Sequence, residues 1–159
     1  MFLTKVVASQ LLFALVLITS TSITFADEFV SPSTEYGPEQ VVKLQLSSLM
    51  DNDSPYPDAG VEQTFAFAHP DNLKITGPVG RFAKMMRMPA YEQLLNHRSH
   101  EIKLFSENAQ LAMFAVKVMD QDGGLVGFQW VVGKGDTPQC EGCWLTIQVS
   151  PAVSLGQSI

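Results

Sequence analysis

The chain has 159 residues, 46% of them apolar and 16% charged, with a formal net charge of −6. That length is enough for one domain and leaves a second improbable. The acidic balance repels phosphate backbones and anionic membrane surfaces, which argues against nucleic acid as a partner.

Lys5, the apolar run Leu11 to Ile18 and a polar stretch ending in Thr24-Phe25-Ala26 read as a signal peptide over residues 1–26, cleaved before Asp27. Ser9, Gln10 and the Thr/Ser cluster interrupt the run, which falls short of the roughly 20 apolar residues of a spanning helix. An uncleaved anchor is the alternative. Cleavage removes one charge, Lys5, so the remaining 133 residues carry −7 instead of −6. No later stretch is apolar enough to span a bilayer, so the expected product is soluble, without a stable membrane span, and periplasmic or secreted.

Residues 27–36 have no apolar period and form an extended lead-in. Gly37-Pro38-Glu39 then puts proline at a first helical position and an acid in the first turn. Val42, Leu46, Leu49 and Met50 follow at helical spacing, which predicts an amphipathic helix over 38–50. The stretch 51–60 stacks turn formers and two prolines and is a loop. Residues 61–68 are a short helix with Val61, Phe65 and Ala68 on one face, although the alternation of Phe65 and Phe67 leaves a strand open. His69-Pro70-Asp71-Asn72 ends it. Gly77-Pro78 opens another helix carrying Phe82, Met85 and Met86, which must kink or restart at Pro89 before Tyr91, Leu94 and Leu95.

From residue 98 the period falls to 2. His100, Ile102 and Leu104 share a parity. Ala112, Phe114, Val116 and Val118 form a second face, Val126, Phe128, Trp130 and Val132 a third, and Cys143, Leu145, Ile147 and Val149 a fourth. The short turns between them favour antiparallel neighbours, and residues 151–159 are left as a C-terminal tail. Helices followed by a meander make an α+β domain over 37–150, with N-terminal helices packed on a curved four-stranded antiparallel sheet.

GPEQVVKLQLSSLMDND, TFAFAHPDN, TGPVGRFAKMMRMPAYEQLL and GCWLTIQV, in that order, resemble an uncharacterised "domain of unknown function" family of small exported proteins. The resemblance covers residues 37–150 and implies the nuclear transport factor 2-like (cystatin-like) cone, in which helices cap a strongly curved sheet. Its motifs are turn and core residues, so it speaks for fold and not for activity. Cones serve as isomerases, dehydratases, ligand carriers and structural modules, and often pair through the outer sheet face, which makes a homodimer compatible with the resemblance.

Cys140 and Cys143 are the only cysteines. In an exported chain they read as a disulfide that trims a loop, with thiol redox chemistry or a metal site as alternatives. The redox reading is weak because a strand, not a helix, follows the first cysteine, and zinc would need two further ligands. Residues 81–103 hold Arg81, Lys84, Arg87, Arg98 and Lys103 against Glu92 and Glu101, an island of +3 that is a candidate dock for an anionic ligand or acidic partner; a solvated helix face is the simpler reading. His100, with His97 as alternate, is a candidate general base, with Arg81 or Tyr91 orienting a substrate. No interior polar partner for His100 is visible. Phe128, Trp130 and Met113, with Met85 and Met86, can line an apolar pocket, or simply fill the core. Asn52-Asp53-Ser54 has the form of a glycosylation acceptor, made less favourable by Pro55. No metal cluster or cofactor motif is recognisable. The expected function is therefore a non-enzymatic module binding a small molecule or a protein, with an acid/base enzyme or a thiol redox protein as alternatives.

Overall fold

The computed structural model describes residues 29–157. The predicted signal peptide lies outside the described residues, and among these no helix is long and apolar enough to cross a membrane. The protein is α+β: four helices precede an open antiparallel sheet.

The first helix, α1 (Pro38–Met50), has the predicted bounds. Pro38 opens it and the Gly37 N–H donates to Gln40 Oε1 at 2.7 Å, so one amide of the first turn finds a partner. Val41, Val42, Leu46 and Leu49 form the buried stripe, joined by Gln45, while Met50 is exposed. α2 (Ala59–Ala66) crosses α1 at Gly60, where an added Cβ would strike the carbonyl of Ser48.

α2 stops at Ala66, short of the expected end, because the next three residues are drawn out along a strand. Thr146 N–H donates to the Phe67 carbonyl at 2.7 Å, and His69 N–H donates to the Thr146 carbonyl at 2.8 Å. The stretch read as a helix stop is instead the start of α3 (Pro70–Thr76). Pro70 takes the first position, where its missing N–H is harmless, and His69 Nδ1 accepts the Asp71 N–H at 3.1 Å. α4 (Val79–Met86) ends before Pro89, and the restart shrinks to a 3-10 turn, Glu92–Leu94.

β1 (Ser99–Glu107), β2 (Leu111–Met119), β3 (Gly124–Thr137) and β4 (Cys140–Val149) pair in that order. The stretch taken as a tail contains β5 (Val153–Gln157), which pairs with the first residues of β3. β3 is 14 residues long, enough to hold β5 at one end and β4 at the other. The alternating faces of β2 and β3 are as read: Ala112, Phe114, Val116, Val118, Val126, Phe128, Trp130 and Val132 are at most 8% exposed and sit under the helices.

β4 departs from its predicted face. Val131 pairs with Gln148 but Val132 with Thr146, so Ile147 is an extra residue that shifts the phase by one. Residues paired across a ladder share a face. Trp144, Thr146 and Val149, opposite Lys134, Val132 and Trp130, therefore face the helices in place of Cys143, Leu145 and Ile147. A similar irregularity between Leu104 and Ser106 of β1 leaves Leu104 45% and Phe105 76% exposed.

Candidate functional site

α1 packs directly on the sheet and α2 on α1, while α3 rests against β4 and α4 packs on α2 and α3, and between them lies a cleft of about 370 Å³. Gln45 of α1, Trp130 of β3 and Thr146 of β4 lie along its floor. Phe82, Met85 and Met86 of α4 roof it, Tyr91 and Leu94 close one side, and Ile75, largely exposed, stands on α3 at its edge.

The floor is a closed hydrogen-bond network. Gln45 Oε1 accepts from Trp130 Nε1 at 3.1 Å and from Thr146 Oγ1 at 2.5 Å, and Gln45 Nε2 donates to the Thr64 carbonyl at 2.9 Å. Thr64 Oγ1 returns a bond to the Gln45 carbonyl at 3.3 Å. Buried polar groups tied to one another in this way are stable and directional. One polar atom of a cleft-lining residue is different: Asn72 Oδ1 is shielded from solvent and has no hydrogen-bond partner.

The structure brings His97 and His100 together, but outside this cleft. His97 Nδ1 lies 2.7 Å from the Leu94 carbonyl and must donate to it, since a carbonyl only accepts. Neutral His97 then offers Nε2 as acceptor, and His100 Nδ1, 2.8 Å away, donates to it. This fixes both tautomers and leaves the far nitrogen of His100 as a proton acceptor. Burial holds the His97 pKa below the ordinary value, helped by repulsion from His100 and opposed by the Leu94 bond. Burial and the nearby Lys43 lower that of His100.

Of the other sequence candidates, Trp130 lies in the cleft, as do Met85 and Met86. Tyr91 also faces it, with its hydroxyl 3.4 Å from the Val149 carbonyl. Phe128 is core beneath the helices. Met113 pairs with Ser106 on the opposite parity from Phe114 and Trp130. Arg81 is exposed on α4 and does not line the cleft.

The basic island is divided. Arg87 makes two 2.6 Å bonds to the Asp58 carboxylate, which raises the Arg87 pKa, and Lys103 belongs to β1, remote in the chain fold from α4. Asn52 is buried, donates to Asp53 and Asp58, and accepts the Val61 N–H at 3.0 Å, so the folded protein does not present it as a sugar acceptor. Cys140 and Cys143 are disulfide-bonded with Cα atoms 6.0 Å apart. They close the turn into β4, where Lys134 Nζ donates to the Gly142 carbonyl at 2.9 Å. Among the described residues, no three His, Cys, Asp or Glu side chains gather as a metal site.

Sequence reasoning missed Gln45, Thr146 and Asn72. Gln45 carried a signal, a polar residue within the apolar stripe of α1; the other two lie on elements whose phase or existence the pattern did not give. No protein-family model, curated protein or solved structure matches this chain.

Proposed function

We propose that this is an exported, non-enzymatic module of the nuclear transport factor 2-like kind that holds a small, mostly apolar molecule between its later helices and its sheet. The observation that carries the reading is the cleft of about 370 Å³ lined by Trp130, Phe82, Met85, Met86 and Leu94, a size and character typical of ligand sites. The helix layer on one sheet face and the phase breaks in β1 and β4 fit a curved cone. Export rests on the basic and apolar N-terminal pattern.

The test is thermal denaturation of the purified protein with a panel of small apolar metabolites. A ligand that prefers the native state raises the midpoint, and Met85→Trp, which fills the cleft, should abolish the rise. If no compound moves the midpoint, or the filled variant responds equally, the reading fails.

The acid/base alternative draws its support from the His97–His100 bond of 2.8 Å. Against it, neither histidine lines the cleft, and the cleft residues include no carboxylate, histidine, lysine or cysteine, so a substrate seated there would meet no base.

A further inference from the structure

The ligand of this cleft has a chemistry that its walls define. Every residue lining it is uncharged. An ionic ligand would therefore surrender its hydration with no opposite charge to receive it, a penalty far larger than any dispersion gain from the methionines and aromatic rings. The floor cannot supply the missing polarity, because the oxygen of Gln45, the hydroxyl of Thr146 and the indole N–H of Trp130 are already bound to one another.

Asn72 is the exception. Its Oδ1 has lost solvent and gained no partner, whereas buried carbonyl oxygens are nearly always paired. The side chain sits on α3 beside the mouth marked by Ile75. The last torsion of an asparagine is soft, so the amide is free to turn toward a ligand.

We infer that the cleft takes a neutral, mostly apolar molecule bearing a hydrogen-bond donor, an alcohol or an amide, whose O–H or N–H is received by Asn72 while its hydrocarbon part lies under Met85, Met86 and Phe82. This rests on the ligand-binding reading above. It also departs from the basic island as an anion site, since Arg81 and Lys84 are exposed on α4 and do not line the cleft.

The experiment uses four probes of matched chain length, octanol, octane, octanoate and octylamine, with the purified full chain and its Asn72→Leu variant. Binding is read by titration calorimetry and by the shift in unfolding midpoint. Octanol should bind about tenfold more tightly than octane, and octanoate and octylamine more weakly than either. In Asn72→Leu the octanol advantage should vanish while octane binding is kept. Removing an acceptor that has no partner should leave folding intact or improved, and the variant's own midpoint checks this. Should that variant not fold, Asn72→Ala serves in its place with the same expectation. Equal binding of octanol and octane, tightest binding by either ion, or an unchanged octanol advantage in the variants overturns the donor inference and leaves the cleft as a site. Failure of all four probes overturns the ligand-binding reading itself.

Discussion

The two helix pairs of this protein contribute unequally to its core. α1 buries Val41, Val42, Gln45, Leu46 and Leu49, and α2 buries Ala59, Gly60, Val61 and Thr64. α3 buries Thr76 alone and α4 Met86 alone. The first pair supplies most of the helical core, and the second adds Met86 to it and lines the cleft. Burial is what stabilises an element against opening, so the first pair should resist local opening more than the second.

That contrast can be broken most severely at its boundary. Trp130→Ala removes a fully buried indole that lies under both halves, and should lower unfolding stability in urea by about 4 kcal/mol; a loss under about 1.5 kcal/mol would show the cleft floor to be no part of the core. Gly60→Ala comes next. Its Cβ meets the Ser48 backbone, and the forced separation of α1 and α2 should lower stability by about 2 kcal/mol.

Acidification probes the seam between α1, the 3-10 turn and β1. Both histidine pKa values are held below the ordinary value by burial, so their contribution is complete above about pH 6.5 and lost as pH falls through the lower folded values. Two protonated rings would turn N–H groups toward each other across a 2.8 Å bond. The unfolding midpoint should fall between pH 6.5 and 5, and His100→Gln should flatten that dependence; a slope unchanged in the variant would remove the pair from the account. The smallest effect belongs to the roof. Nothing lies within 4 Å of a Cβ placed on Gly80 of α4, so Gly80→Ala should raise stability by about 0.5 kcal/mol through the unfolded chain, the opposite sign to Gly60→Ala.

α1, α4 and the two central strands are legible in the sequence, whereas α3 and the phase of β4 are not. α1 follows from Pro38 and a stripe at helical spacing, and β2 and β3 from strict alternation, because each pattern depends only on neighbours along the chain. α3 is hidden in the sequence because Pro70, which reads as a stop after α2, in fact opens the next helix as a proline at a first helical position. The predicted face of β4 holds at Val149 but not before it, since one extra residue, Ile147, puts Cys143 and Leu145 on the opposite side, and no local pattern marks where an extra residue falls. The cleft floor is less readable still. Gln45 meets Trp130 and Thr146 across 85 and 101 positions of chain, so only its incongruous polarity within α1 hinted that a distant partner existed. The histidines, three residues apart, were noticed singly, and their mutual bond depends on a turn that places His97 inside and His100 beside it.

The break between the last two strands ties the end of the chain to the cleft. The Ser150 N–H still donates to the Gln129 carbonyl of β3 at 2.9 Å, but at Ala152 the N–H turns away to the Ala90 carbonyl at 2.9 Å, next to Tyr91. Peeling the final strand from β3 would therefore unlatch the segment that bears that ring. If the cleft holds a ligand as proposed, a chain cut after Ser150 should keep its helical signal and release that ligand faster.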